Sequence, residues 1–142
     1  FAEVGINAKN SELHAAVGLV NLGYVEEVLT RRKDQYQLYR NLLKGQRVHF
    51  QEIASYGDVN YSYAIIILEH SEVCVRLHEG LQKKGIQTRR YFYPLLSDVF
   101  DHESGDLSVA EDIAPRVLCL PLYHELSQRD IGRICDEIIG LL

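Results

Sequence analysis

Three polar residues in the loop before the first predicted helix carry side chains that suit an anion. Asn7 and Asn10 offer amide donors, Lys9 offers a positive charge, and Ser11 follows as an N-cap for the helix. The unpaired amides and the positive dipole end of that helix would favour a phosphate group here. The alternative is that the asparagines only form turns and that Lys9 is a solvated surface charge. Residue chemistry alone favours this alternative.

A second group of chemically capable side chains lies in the segment 89–94, with the sequence RRYFYP. A guanidinium such as that of Arg90 can hold a phosphate or carboxylate by two parallel hydrogen bonds, and Tyr93 adds a flat ring and a hydroxyl. The pair is a candidate rim for a sugar-nucleotide. In a regular strand Arg90 and Tyr93 point to opposite sides, so both reach one ligand only if the strand twists or bulges before Pro94. The alternative, an edge strand with core-facing aromatics and solvated arginines, is favoured by residue type alone.

The composition excludes several classes of partner. The chain has 142 residues, a net charge of −5 and a pI near 5.6, which argues against a nucleic-acid binder. No apolar run approaches the roughly 20 residues that a membrane-spanning helix needs. We therefore expect a single soluble domain with neither nucleic acid nor membrane as its partner.

The cysteines and acidic residues give no pattern typical of a metal site. Cys74, Cys119 and Cys135 are odd in number, widely spaced and embedded in apolar patterns, which predicts buried free thiols in a reducing compartment, best the cytoplasm. The loop 95–107 holds several acids and His102, but at no recognised ligand spacing. We predict no metal site.

The elements that position the two motifs alternate helices with a few short strands. Amphipathic spacing predicts a first helix after Ser11, whose stripe from Leu13 to Val20 should pack tightly against another element. The other helices are predicted over 25–43, 71–84, 108–116 and 128–142, and the strands over 48–53, 62–69, 86–91 and 117–122. The predicted class is α+β, with helices on one side of a mostly antiparallel sheet of about three strands.

Three motifs, in order along the chain, resemble those of the DegT/DnrJ/StrS family of sugar aminotransferases. The second motif matches at Tyr93 and Pro94, and the third is the run 120–122, leucine, proline and leucine, before the last helix. Where many members continue with proline, leucine and histidine, this chain reads Leu95, Leu96 and Ser97, which leaves the sugar open. The first motif matches at Gly5, Asn7, Lys9, Ser11, Glu12, Ala15, Ala16, Gly18 and Leu19.

The resemblance implies that residues 1–142 are the small C-terminal domain of a fold-type I pyridoxal phosphate enzyme. The chain begins at Phe1 and contains no methionine, so we expect a fragment that a large cofactor-holding domain precedes. In the family, the residue matching Asn7 reaches the phosphate of pyridoxal phosphate in the neighbouring subunit, which implies a homodimer. The residues matching Lys9 and Tyr93 lie near the substrate, with Arg90 as a further candidate.

The implied activity is transfer of an amino group, usually from glutamate, to a nucleotide-linked keto-sugar. The lysine that bonds the cofactor belongs to the large domain in the family, so we expect no catalytic residue in this chain and no activity from the fragment alone. Two alternatives keep the fold: a non-catalytic regulatory or dimerisation module, and a pyridoxal phosphate dependent sugar dehydratase with histidine at the lysine position.

Overall fold

A computed structural model describes residues 10–53, 57–100 and 105–142. Six α-helices, three strands and a short 3-10 helix are assigned within these ranges. In chain order they are α1 (Glu12–Leu22), α2 (Val25–Leu42), β1 (Val48–Phe50), β2 (Ala64–Leu68), α3 (Ser71–Lys83), α4 (Leu96–Val99), α5 (Ser108–Ile113), the 3-10 helix (Ala114–Arg116), β3 (Val117–Leu120) and α6 (Gln128–Leu141).

The three strands form one antiparallel sheet in the order β1-β2-β3, which confirms the predicted class. Val48 pairs with Leu68 at one edge, and Ala64 pairs with Leu120 at the other. Along β2 the residues Ala64, Ile66 and Leu68 are fully buried, whereas the two isoleucines between them are half-buried. One face of the sheet is therefore completely covered, and the opposite face is covered only in part.

The covered face carries a helical layer in which α6 packs against both α2 and α3. Gly80 of α3 allows the close approach, because a Cβ there would lie 2.8 Å from the Leu141 Cδ1 atom. The core takes one apolar stripe from each helix. The helical members are Tyr36, Tyr39, Cys74, Leu77, Leu81, Ile131, Ile134, Cys135 and Ile138.

Two buried polar side chains of α2 hold the connection between β3 and α6. Gln35 donates from Nε2 to the carbonyls of Tyr123 and Leu126, each at 2.9 Å. The Tyr39 hydroxyl donates to the Pro121 carbonyl at 3.0 Å. These bonds satisfy carbonyl groups that leave the sheet without strand partners.

The α1 helix begins as predicted but packs differently. Ser11 is its N-cap and accepts from the His14 amide at 3.3 Å. All residues of α1 are nevertheless exposed, with Leu13 at 73% and Val20 at 63%. The expectation of tight packing is wrong for the described part of the chain, where nothing covers this stripe.

The predicted strand over 86–91 is reduced to a single bridge. Arg89 exchanges both backbone hydrogen bonds with Cys119, and no further pairing follows among the described residues. In an antiparallel register the next hydrogen-bonded pair would join residue 87 to Pro121, which has no amide to donate. The next segment also differs from the prediction. The sequence predicts a loop over 95–107, whereas the structure forms α4 within it.

The thiols lie where the sequence analysis predicts. Cys74, Cys119 and Cys135 are all buried and free. Burial raises the pKa of Cys135 to about 12, and it raises the pKa values of Cys74 and Cys119 as well.

Among the helices of the described ranges, none is long and apolar enough to cross a membrane.

Candidate functional site

The segment that carries Arg90 and Tyr93 leaves the sheet through a tight turn. Gly85, with φ of +75°, ends α3 and reverses the chain, and Ile86 then enters the core. After the bridge at Arg89, the Tyr93 amide donates to the Arg90 carbonyl at 2.9 Å. The Tyr91–Phe92 and Tyr93–Pro94 peptide bonds are cis. The hydrogen bond between the Tyr93 amide and the Arg90 carbonyl closes a turn before Pro94, as simultaneous use of both side chains requires.

The turn brings the Arg90 guanidinium onto the Tyr93 ring. The Arg90 Cζ atom lies 4.0 Å from the ring centroid, within cation–π range. Its Nη2 donates to the Pro115 carbonyl at 2.9 Å, so the guanidinium is anchored to the 3-10 helix before β3. Burial raises the pKa of the Cys74 thiol, and the nearby Arg90 charge and hydrogen bond partly offset that rise.

Tyr93 itself stays accessible. Its side chain is 45% exposed, and the neighbouring Phe92 is 70% exposed. Phe92 stacks on Tyr91, with ring centroids 4.7 Å apart. The turn thus leaves the Tyr93 ring accessible while the Arg90 guanidinium packs against it.

The two predicted residues of this motif therefore differ in their surroundings. Tyr93 has a partly free ring, whereas the guanidinium of Arg90 contacts protein groups: Pro115, Cys74 and Tyr93. The sequence analysis missed Pro115 and Cys74 as partners of Arg90. Both are distant in sequence and neither is part of a motif, so no sequence signal could have identified them.

The other two predicted site residues, Asn7 and Lys9, lie outside the described residues. The structure does describe the end of their loop, because Ser11 caps α1 and Glu12 places a negative charge in its first turn. The roles of Asn7 and Lys9 therefore stay predictions.

The lysines that the structure describes all lie at the surface. Lys33, Lys44, Lys83 and Lys84 are all exposed, and Lys84 pairs with Glu137 of α6. A lysine nucleophile needs desolvation or a neighbouring cation to be uncharged at neutral pH. Over the same ranges, no group of three or more histidine, cysteine or acidic side chains could hold a metal ion.

Comparison with known proteins identifies one family for this chain. The model of the DegT/DnrJ/EryC1/StrS aminotransferase family matches residues 2–139. A dTDP-4-amino-4,6-dideoxy-D-glucose transaminase from Escherichia coli is 36% identical over 149 aligned positions, which cover 96% of this chain and 39% of that protein.

Solved structures agree in fold. DesI, crystallised with its TDP-sugar product, superposes with a TM-score of 0.85 at 30% identity, covering 96% of this chain and 36% of DesI. The aminotransferase TlmJ from Streptoalloteichus hindustanus gives a TM-score of 0.86 at 24% identity, covering 99% of this chain and 38% of TlmJ. The chain thus spans roughly two fifths of the length of these proteins. It belongs to the DegT/DnrJ/EryC1/StrS aminotransferase family.

Proposed function

We propose that the protein containing this chain transfers an amino group from glutamate to a nucleotide-linked keto-sugar, and that residues 1–142 form its small C-terminal domain. The observation that carries the proposal is the 36% identity, over 96% of the chain, to a transaminase named for a dTDP-linked amino sugar. The proposal names a class of acceptor, a nucleotide-linked keto-sugar, and no particular sugar.

Within this proposal Tyr93 contacts the sugar-nucleotide. Support comes from its exposed ring, its place in a turn that ends at Pro94, and the guanidinium that fixes the ring from one side. Arg90 then acts mainly as a positioning residue, because its Nη2 is already bonded to the Pro115 carbonyl. Arg90 can therefore contact the substrate only through the guanidinium N–H groups that are not bonded to the Pro115 carbonyl.

Pyridoxal phosphate would be held mainly by protein outside this chain. When bound, it supplies the electron sink and the carbonyl group that carry the amino group between donor and acceptor. Of the residues here, Asn7 is proposed to donate to its phosphate, and Lys9 to lie near the substrate. The exposed lysines of α2 and α3 support the proposal that the chain alone is inactive. Borohydride reduction with the cofactor should therefore give no stoichiometric labelling of a single lysine.

The proposal includes a homodimer with shared sites, because Asn7 would serve the cofactor of the neighbouring subunit. The exposed apolar stripe of α1, directly after this loop, is consistent with an interface there. Subunits with Asn7→Ala, mixed with subunits that lack the cofactor-bonding lysine, should recover part of the activity. Mixed dimers that remain inactive would contradict the shared site.

The substrate role of Tyr93 is tested in the whole enzyme by Tyr93→Phe. Losing a hydrogen bond to a polar ligand group costs about 1 to 3 kcal/mol, so use of the sugar-nucleotide should fall roughly tenfold or more. The half-reaction with glutamate should change less than about twofold. The matched control is Tyr24→Phe, a tyrosine at the N-cap of α2 that is 58% exposed and lies outside the site.

The outcomes separate the alternatives. Equal losses in both half-reactions would place Tyr93 at the cofactor, and no loss in either would make it a packing residue. A parent enzyme that eliminates water from the sugar without transferring nitrogen would support the dehydratase. A parent that does neither would support the non-catalytic module.

A further inference from the structure

A concave surface lies between the extended segment 85–91 and the connection from β3 to α6. This cleft has a volume of about 640 Å³, within the roughly 300 to 1,000 Å³ of small-ligand pockets. Arg89 and Tyr91 line it, whereas Arg90 and Tyr93 do not. Arg90 points to the opposite side because adjacent side chains of an extended segment alternate, and Tyr93 lies beyond, in the turn. The cleft is therefore formed by side chains other than those of the candidate site.

The floor of the cleft is apolar and its walls are aromatic. Tyr63 and Tyr123 are each about half exposed. The Tyr63 ring packs edge-on against Tyr91, with ring centroids 5.7 Å apart, which fixes the shape of one wall. Such a lining favours a ligand with a flat ring that can pack against tyrosine. The lining residues of the floor are all buried: Ile86, Leu120, Leu126 and Ile134.

Two guanidiniums of the lining are held by neutral acceptors. Arg89 donates from Nη1 to the Tyr91 hydroxyl, and its Cζ atom lies 5.3 Å from the centroid of that ring. Arg133 donates from Nη2 to the Lys84 carbonyl at 2.9 Å. Within the described ranges, neither arginine forms an ion pair with a carboxylate. A guanidinium has five N–H donors, so both arginines keep their positive charge and free donors for an anion.

The charge of the lining suits a ligand with one negative charge. Asp130 is its acidic member, and its carboxylate accepts from the Ser127 hydroxyl at 2.6 Å. Together with Arg89 and Arg133, it leaves the lining with a net charge of +1. A carboxylate neutralises this charge, and its two oxygens match the planar donor fork of a guanidinium. A phosphate monoester, with a charge of about −1.5 to −2 at pH 7, would bring excess negative charge close to the aspartate.

From this lining we infer that the cleft binds an aromatic monocarboxylate, with its ring between Tyr63 and Tyr123 and its carboxylate between Arg89 and Arg133. Such a ligand is neither the donor nor the acceptor of the proposed transfer, since glutamate has no ring and a nucleotide-linked sugar has no carboxylate of this kind. The inference therefore does not rest on the proposed function, and its test measures binding alone.

The test is calorimetric titration of the full chain with phenylacetate at pH 7.5. We expect a dissociation constant below about 1 mM, which a ligand of ten non-hydrogen atoms can reach. Phenylacetamide has nearly the same shape without the charge and should bind at least tenfold more weakly. Cyclohexylacetate, which lacks the aromatic ring, and phenyl phosphate, which carries more charge, should each bind at least threefold more weakly. Backbone amide shifts in the NMR spectrum should concentrate in residues 85–91 and 119–134.

Several results would overturn the inference. They are a dissociation constant for phenylacetate above about 10 mM, equal binding of phenylacetamide, tighter binding of phenyl phosphate, and amide shifts centred outside the two segments. Glutamate in tenfold excess should leave the binding of phenylacetate unchanged. Displacement by glutamate at equal concentration would instead assign the cleft to the proposed amino donor and would also overturn the inference.

Three variants assign the binding to this cleft. Arg89→Gln and Arg133→Gln should each weaken phenylacetate binding at least fivefold, since each removes a charged donor. Arg129→Gln is the matched control on the same helix as Arg133, exposed and outside the lining, and should stay within twofold. Asp130→Asn should strengthen phenylacetate binding about twofold to threefold and phenyl phosphate binding by more, a gain that damage to the fold would not produce. Arginine variants within twofold of the parent, or weaker binding by Asp130→Asn, would overturn the inference.

Discussion

Replacing Arg90 by methionine should destabilise the fold measurably, because the guanidinium joins three parts of the chain. Methionine keeps an unbranched side chain of similar reach and removes the charged group. The variant therefore reports on the contacts of the guanidinium more than on lost packing.

The magnitude follows from two contacts. The charged donor to the Pro115 carbonyl at 2.9 Å contributes about 1.5 to 3 kcal/mol. The stack on Tyr93, a half-exposed ring 4.0 Å away, contributes about 0.5 to 1 kcal/mol. Burial of the Arg90 Nε atom without a hydrogen-bond partner opposes these gains. We expect a net loss of about 2 kcal/mol, or roughly 4 to 8 °C in melting temperature for a chain of this size.

Urea unfolding, followed by circular dichroism, measures the loss. Arg129→Met is the control, because its exposed side chain on α6 should change stability by less than about 0.5 kcal/mol. A double-mutant cycle with Tyr93→Leu should give a coupling of about 0.5 to 1 kcal/mol between the two side chains. An Arg90→Met chain as stable as the control, or a coupling near zero, would refute the positioning role.

Two further predictions concern the core. Tyr39→Phe removes the donor to the Pro121 carbonyl and should lower the free energy of unfolding, measured in urea, by about 1 to 3 kcal/mol. The control Tyr24→Phe should change this free energy little. Equal stability of the two variants would contradict a contribution from the Tyr39 hydrogen bond. Burial raises the pKa of Cys135 from 9.0 to about 12, so at pH 8 its thiolate fraction is roughly a thousandfold lower in the folded chain than in the unfolded chain. Burial also raises the pKa values of Cys74 and Cys119. Iodoacetamide at pH 8 should therefore label all three thiols in urea, and it should label each of them much more slowly in the native chain. Rapid labelling of the native chain would contradict the burial of these thiols.

Local signals predict much of the fold. The last helix begins after Ser127, whose hydroxyl accepts from the Asp130 amide at 3.1 Å, and its predicted stripe from Ile131 to Ile138 is buried. These features depend on residues within a few positions of one another, so one sequence suffices. The central strand β2 is equally clear, because apolar residues follow one another without interruption.

Predictions that depend on distant partners succeed less well. The α1 stripe has the spacing of a buried face, but burial depends on a surface that the described residues do not provide. The strand over 86–91 is shortened by Pro121, which is visible in the sequence but acts only through a register that the sequence does not specify. The anchoring of Arg90 likewise depends on Pro115, which lies 25 residues away.

Pro121 also affects what the edge of the sheet can do. An edge strand with free amides is a template on which a strand from another molecule can pair, and this is a common route to aggregation. Beyond the Arg89–Cys119 bridge, the next outward-facing amide of this edge would be that of residue 121, which is a proline and has none, and the Pro121 carbonyl is bonded to Tyr39. An incoming strand therefore finds neither a donor nor a free acceptor at this position. Pro121 therefore protects this edge of the sheet against intermolecular strand addition.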